Sequence, residues 1–190
     1  MVYIGIGIIG VLIIQVFNIV SLKRITLIKP LTWILGSSLL VCSIVALCIR
    51  SNTLLLPNWS LWLGWGLLLL SSILLLYALF INLPFRQSYI NADSKDKLVK
   101  TGLYALVRHP WLHGLVIALL SLVLVSRSKL LLFAVPIWVS IYIVMLMVVD
   151  KFVFSKMFDG YGEYREKTPM LIPNRSSVNA FINLLKKSRV

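Results

Sequence analysis

The side chains that could do chemistry are concentrated in the second half of the chain. All six acidic residues and both histidines follow residue 90. Arg108 and His109 come directly before one long apolar stretch, and Asp150 directly follows the next. Ionisable groups beside long apolar stretches are costly and tend to mark functional cavities. Their grouping therefore favours a site that binds a polar ligand or moves a proton.

The segment between these residues predicts that they meet in space. It consists of two apolar stretches joined by a polar turn, namely Trp111–Val125, Ser126–Lys129 and Leu130–Val149. At about 1.5 Å per helical residue, His109 lies about 26 Å before the turn and Asp150 about 32 Å beyond it. A helical hairpin of these lengths returns both side chains to nearly the same depth. We therefore expect Arg108, His109 and Asp150 to converge next to the tail that follows.

Each of these residues also has an ordinary structural interpretation. Arg108 is suited to anchoring a helix at a membrane surface and Asp150 to ending one, while Tyr161 and Tyr164 in the tail are typical of an aromatic belt. Their grouping beside the Pro169–Pro173 segment favours a site over these separate explanations.

The two histidines suggest a metal pair by spacing alone. His109 and His113 would share one helix face. A catalytic zinc normally needs three protein ligands, and Asp150 or a buried thiol would have to supply the third. We predict no metal site, although one histidine is enough for an axial haem ligand.

Composition indicates the elements that must position these residues. The chain has 190 residues, 59% of them hydrophobic, and a mean hydropathy of +0.94, which is more apolar surface than a soluble core of that size can bury. Helices of about 20 apolar residues cross a bilayer. Five stretches fit or approach that length: Val2–Leu22, Leu31–Ile49, Leu61–Leu83, the shorter Trp111–Val125, and Leu130–Val149. We therefore predict an all-α integral membrane protein of one domain, with three helices in residues 1–83 and a C-terminal hairpin and tail.

The charge distribution predicts an orientation. The formal charge is +13, and five spans divide the 19 Lys and Arg residues into 16 on one side and three on the other. Positive loops are retained inside, so we expect the N-terminus outside and the C-terminus in the cytoplasm, with a bacterial inner membrane as the setting. Basic loops beside anionic lipids explain the charge without nucleic acid as a partner.

Three smaller features complete the pattern. Cys42 and Cys48 lie in one apolar run and are expected to be packing residues rather than disulfide or zinc ligands. The first apolar stretch has no basic region before it and is expected to remain as a span. Val178–Leu185 is weakly amphipathic, which fits either a helix resting on the inner leaflet or a frayed terminus.

Two motifs in the second half of the chain resemble those of the isoprenylcysteine carboxyl methyltransferases and their bacterial and phospholipid methyltransferase relatives. The first is GLYALVRHPWLHG, which carries Gly102, Tyr104, Arg108, His109, Pro110 and Gly114. The second joins Asp150, Tyr161 and Tyr164 to PMLIP at Pro169–Pro173. The resemblance covers residues 98–173, in the order and at the hairpin spacing that the family shows.

The resemblance implies S-adenosylmethionine as cofactor and methyl transfer to a lipophilic or small apolar acceptor at the cytoplasmic face. Arg108 and His109 would bind the polar end of the cofactor, with Asp150 facing its positive charge, and these three are the expected catalytic residues. The remaining cofactor-binding residues implied are Tyr104, Gly114, Tyr161, Tyr164, Leu171 and Ile172.

The sequence departs from the family pattern at four positions. Leu112 replaces a tyrosine, Val149 the first of two acidic residues, Asp150 a glutamate, and Met170 an arginine. Because the family's residues are replaced at these positions, a prenylcysteine carboxylate is disfavoured as substrate. A lipid, thiol or other apolar nucleophile is favoured instead. Two alternatives stay open: a relative that does not methylate, of the haem-associated or isomerase type, and a noncatalytic membrane partner.

Overall fold

The computed structural model describes residues 1–23, 25, 28–50, 52–83 and 98–187, and these form helices joined by short connections. The helices are α1 Val2–Leu22, α2 Ile28–Ile49, α3 Trp59–Leu76 with a π-helical turn Tyr77–Ile81, α4 Leu103–Leu106, α5 Pro110–Ser126, α6 Lys129–Phe152, α7 Phe154–Met157, α8 Tyr161–Lys167 and α9 Arg175–Lys187. Several charged residues of the sequence analysis lie outside the described residues: Arg24, Arg86, Asp93, Lys95, Asp96, Lys97 and Arg189.

The predicted all-helical membrane fold is confirmed. Four helices are long and apolar enough to cross a bilayer: Val2–Leu22, Ile28–Ile49, Trp59–Ile81 and Lys129–Met157. The fifth predicted span is helix α5, whose 17 residues are apolar but short. Its crossing of the membrane stays a prediction.

Close contacts between glycine and backbone set the packing of two helix pairs. A Cβ on Gly10 of α1 would lie 2.9 Å from the carbonyl oxygen of Gly36 in α2. A Cβ on Gly114 of α5 would lie 3.0 Å from the backbone nitrogen of Leu75 in α3. Small residues allow helices in a membrane to approach this closely, where dispersion contacts replace the hydrophobic effect.

Helices α2 and α5 end, and α6 begins, at one end of the bundle, which we call the turn end. Arg127 adopts the left-handed conformation and reverses the chain, and Ser128 then caps α6 by accepting a hydrogen bond from the backbone of Leu131 at 3.0 Å. The same hydroxyl donates to the carbonyl of Leu47 at 2.8 Å. The α5–α6 hairpin is thereby tied to the end of α2.

Helix α1 runs alongside α6 in the same direction. The indole of Trp138 donates a hydrogen bond to the carbonyl of Ile4 at 3.0 Å, next to Gly7, where a side chain would collide with the indole. This contact fixes the register of the two helices, with the start of α1 next to the first half of α6. Both helices then run toward the opposite end of the bundle, which we call the site end because α6 finishes there at Asp150 and Phe152.

The tail that follows forms the amphipathic helix α9 rather than an irregular terminus. Val178 and Ile182 are exposed on it, and Ser177 is buried. Helix α9 packs against α4 at the site end. Its binding to a membrane surface stays a prediction.

Candidate active site

Three charged or titratable side chains meet at the site end. Arg108 Nη1 is hydrogen-bonded to Asp150 Oδ2, and His109 Nε2 lies 3.2 Å from Asp150 Oδ1. Arg108 is 9% exposed and Asp150 3%. The convergence expected from the hairpin lengths is present, and the charges are paired as buried charges must be.

Tyr161 completes the shell around the carboxylate. Its hydroxyl donates to Asp150 Oδ1 and lies 3.5 Å from Arg108 Nη1. Arg165 approaches the other oxygen at 3.8 Å from a half-exposed position. Asp150 therefore orients Arg108, His109 and Tyr161 at once, and its short side chain reaches all three.

The two sequence motifs are joined through their backbones. The backbone N–H of Arg108 donates to the carbonyl of Pro169 at 3.0 Å, and that of His109 to the carbonyl of Met170 at 3.3 Å. On either side of Arg108 the backbone is not helical: Val107 is extended, with φ −145° and ψ 152°, and His109 has φ −131° and ψ 64°. The Pro169–Pro173 segment thus acts as a clamp that sets where the Arg108 and His109 side chains leave the backbone.

A second set of hydrogen bonds ties Tyr104 between two elements. Its hydroxyl donates to the carbonyl of Ala78 at 3.2 Å, in the π-helical turn, and its own carbonyl accepts from the Tyr164 hydroxyl at 2.6 Å. π-Helical turns often occur at functional sites because they re-aim backbone carbonyls. Helix α3 is thereby linked to α4 and α8.

Gly102 makes the entry to α4 possible. Its φ of +60° belongs to the region that favours glycine, and a Cβ there would lie 2.2 Å from Asn82 Oδ1. The Asn82 side chain links the end of the π-helical turn to the start of α4. It accepts a hydrogen bond from the Leu103 backbone at 3.2 Å and donates one to the Thr101 carbonyl at 3.1 Å. The small residue at position 102 is required by this close approach.

Burial shifts the pKa values of three site residues that lie outside the membrane-spanning helices, namely His109, Tyr161 and Tyr164. It lowers the pKa of His109, and this effect outweighs the hydrogen bond to Asp150, which raises the pKa. Burial likewise raises the pKa of Tyr161 and Tyr164, reinforced at Tyr161 by the Asp150 carboxylate. At neutral pH His109 is therefore an uncharged imidazole, and both tyrosines are protonated donors.

A cavity of about 380 Å³ adjoins this network. Arg108, His109 and three of the predicted tyrosines line it, and Asp150 lies behind them. Residues of α1 and α2, including Phe17 and Trp33, also line it. This size is typical of a small-molecule site, and the wall is mostly apolar.

The predicted cofactor residues divide into two groups. Tyr104, Arg108, His109, Tyr161 and Tyr164 line the cavity, and Asp150 contacts three of them. Outside the cavity wall are Gly114, Leu171 and Ile172. Gly114 faces α3, Leu171 packs against the core, and Ile172 is 82% exposed.

Sequence reasoning missed an aromatic wall beside His109. Its ring centroid lies 5.9 Å from that of Phe154, which in turn lies 5.8 Å from Tyr161. Phe158 stacks on Tyr161 at 6.1 Å, and Trp111 packs edge-on against His109 at 6.4 Å. The spacing of Phe154 and Phe158, one helical turn apart and directly after Asp150, was the available signal.

The described part of the chain contains no group of three His, Cys, Asp or Glu side chains able to hold a metal ion. His113, which shares the spacing of a metal pair with His109, is absent from the cavity wall. The cavity wall presents the polar side chains of Arg108 and His109 and the phenols of three tyrosines, with the Asp150 carboxylate behind them.

Comparison with known proteins gives one match. The model of a family described as phospholipid methyltransferase matches residues 59–160, more than half of the chain. No curated protein and no solved structure matches. The match begins at α3, well before the residues on which the sequence motifs rest, and includes Arg108, His109 and Asp150.

Proposed function

Because this chain belongs to the phospholipid methyltransferase family, as the match over residues 59–160 shows, we propose that it transfers a methyl group from S-adenosylmethionine to a lipophilic acceptor. The observation that carries the proposal is the buried Arg108–Asp150–His109 network, which opens onto an apolar cavity. A polar cluster and an apolar chamber side by side suit a reaction between a charged, water-soluble donor and a lipid-soluble acceptor.

The donor set fits the polar end of S-adenosylmethionine. Arg108 Nη1 is bonded to Asp150, whereas Arg108 Nε is buried and has no hydrogen-bond partner. A buried guanidinium N–H without a partner is unfavourable and suits a carboxylate. Arg108 would hold the carboxylate of the methionine end, and the aromatic side chains of Tyr104, Tyr161 and Phe158 would enclose the flat adenine.

The cofactor supplies an electrophilic methyl group, whose bond to sulfur breaks as its bond to the acceptor nucleophile forms. The chain contributes by excluding water and fixing orientation. Side chains of α1, α2, α5 and α6 line the mostly apolar cavity. Alignment of two reactants can lower a barrier by about 7–11 kcal/mol. Asp150 holds Arg108, His109 and Tyr161 in place before either reactant arrives.

His109 is the candidate proton acceptor. Burial keeps the imidazole neutral, and its Nε2 is directed at Asp150, so Nδ1 carries the free lone pair. A neutral hydroxyl or thiol acceptor would lose its proton to His109, while a thiolate would need no base. Tyr161 and Tyr164, with raised pKa values, serve as donors and not as bases.

The proposed orientation, with the N-terminus outside, would give access from two sides. The site end would face the cytoplasm, where the cofactor is dissolved and to which the five predicted spans assign 16 of the 19 Lys and Arg residues. The apolar wall from α1 and α2 would border the bilayer, which would supply the acceptor. We propose the same orientation in a bacterial inner membrane.

Calorimetric titration of the detergent-purified chain with S-adenosylmethionine and with its demethylated product tests the function. Saturable binding that weakens in Arg108→Gln and His109→Ala is the expected result, and radiolabelled methyl transfer to extracted membrane lipids would follow. His113→Ala is the matched control, since His113 is absent from the cavity wall. A well-folded wild type that binds neither compound would overturn the proposal, and a visible absorbance band in that preparation would point to a haem-associated relative.

A further inference from the structure

Helix α9 presents a row of four exposed side chains along one face, which we call the α9 stripe. Arg175, Val178, Ile182 and Lys186 follow one another at spacings of three, four and four residues, which places them on the same side of a helix. All four are exposed, including the apolar Val178 at 37% and Ile182 at 42%. The stripe is therefore cationic at both ends and apolar in the middle, over about 17 Å.

A different side of α9 packs against the rest of the protein. Ser177 is 1% exposed, and Phe181, one turn further on, is partly buried. At about 100° per residue, Ser177 lies about 145° around the helix from the centre of the α9 stripe. Helix α9 contacts α4 at the site end. The α9 stripe therefore points away from the packed side of its helix.

Contacts at the site end place α9 at the level where the membrane-spanning helices end. The backbone of Leu103, the first residue of α4, donates to Asn82, which directly follows the span Trp59–Ile81. Helix α4 is the neighbour of α9. The other attachment of α9 is the Pro169–Pro173 segment before it, which is bonded to the backbone of Arg108 just before α5. Both attachments hold α9 beside the bilayer surface.

The charge of this segment determines which partner suits the α9 stripe. Residues 174–190 contain four basic residues and no acidic residue. Basic side chains beside an anionic leaflet are attracted to it, and their long apolar stems let neighbouring apolar residues enter the boundary of the acyl chains. An apolar row flanked by cations is typical of helices that bind such a surface. The same stripe on a second copy of the chain would instead bring like charges together.

We propose that helix α9 docks on the surface of the bilayer that holds the chain, with the α9 stripe against anionic phospholipid head groups. Arg175 and Lys186 contact lipid phosphates, and Val178 and Ile182 enter the boundary between head groups and acyl chains. None of the described residues of α9 lines the cavity, so the docking does not depend on the proposed function.

The test measures the depth of α9 with a fluorescent dye on single cysteines of the full chain in lipid nanodiscs. Ile182→Cys places the dye on the α9 stripe and Asn183→Cys places it about 100° away, both in a background of Cys42→Ala and Cys48→Ala. The discs contain phosphatidylcholine alone or mixed with anionic phosphatidylglycerol, and a nitroxide on the acyl chains is the quencher. In anionic discs we expect quenching at position 182 to be at least about twofold that at position 183, and to exceed that in neutral discs.

Charge variants test whether the two cations carry the docking. Arg175→Gln combined with Lys186→Gln should shift the docking equilibrium in anionic discs by about 30-fold toward the undocked helix, at about fivefold per cation. The matched control is Lys129→Gln combined with Lys156→Gln, which removes two exposed cations outside α9. Quenching of the dye at position 182 should be the same with and without the control changes.

Three results would overturn the proposal. Equal quenching at positions 182 and 183 would show that the α9 stripe does not face the bilayer. Quenching that is independent of phosphatidylglycerol or of the two cations would show that head-group charge is not recognised. A dye at position 182 that is shielded from aqueous iodide but not quenched by lipid would place a second copy or another protein on the stripe. If Ile182→Cys does not fold, as judged by thermal unfolding, Val178→Cys carries the dye in its place.

Discussion

The two ends of the helix bundle are closed by different chemistry. At the turn end, the Ser128 hydroxyl bonds the backbone of Leu131 and Leu47, and the Leu54 backbone donates to the Arg127 carbonyl at 2.6 Å. At the site end, an arginine, a carboxylate and a neutral histidine are buried together. Both arrangements join helices that are distant in sequence.

The two ends differ in the free energy that their burial costs. Removing charges from water costs several kcal/mol per ion, and close pairing offsets this only in part. Neutral contacts such as those of Ser128 are sufficient to hold helix ends together. The proposed function accounts for the additional cost at Arg108 and Asp150, because its cofactor needs fixed, water-excluded charges.

The largest effect is expected from Asp150→Asn. The change leaves the buried Arg108 without its counter-charge, and removing one partner of a buried pair costs about 3–5 kcal/mol. We expect the free energy of unfolding in detergent to fall by that amount and cofactor binding to be lost. Glu166→Gln, which alters an exposed carboxylate on α8, should change stability by less than about 0.5 kcal/mol. Similar stability of the two variants would contradict the buried ion pair.

A smaller effect at the same end is expected from Gly102→Ala. The new Cβ would adopt a positive φ and collide with Asn82, which should reduce the free energy of unfolding by about 1–3 kcal/mol. Gly66→Ala is the matched control, since no atom lies within 4 Å of a Cβ there. In the interior of α3 that substitution should stabilise the chain by about 0.5–1 kcal/mol. Opposite signs for the two glycines, measured by denaturant titration, are the result to look for.

The smallest effect is expected at the turn end. Ser128→Ala removes the N-cap of α6 and should reduce the free energy of unfolding by about 1 kcal/mol. Cofactor affinity should stay as in wild type, because the cap lies at the opposite end of the bundle from Arg108. Ser38→Ala, on the exposed surface of α2, should leave both quantities unchanged. Weaker cofactor binding by Ser128→Ala would show that the two ends are coupled.

Much of the site end could be predicted from the sequence. The lengths of the two apolar stretches around Ser126–Lys129 placed Arg108 and His109 level with Asp150, and the structure brings them into contact. The helical rise is nearly constant, so the depth of a residue in a hairpin follows from counting. The family resemblance, confirmed by the match over residues 59–160, rests on the same residues.

Other features could not be obtained in this way. The π-helical turn whose Ala78 carbonyl accepts from Tyr104 leaves no mark in a uniformly apolar segment. The family motifs include Gly114, Leu171 and Ile172, yet the structure places these residues outside the cavity wall, and their role in cofactor binding stays a prediction.

The sequence by itself determined which long apolar segments are helices and, to within a few residues, where they begin and end, because hydropathy and helical rise are local properties. Only the tertiary structure decided which way each helix is rotated. An apolar helix such as α1 carries the same hydropathy whichever face meets lipid, so Gln15 could have pointed to any neighbour. The close approach of Gly10 to Gly36 and of Gly7 to Trp138 fixes the rotation of α1, and Gln15 lies in the wall of the cavity that α1 shares with the other half of the chain.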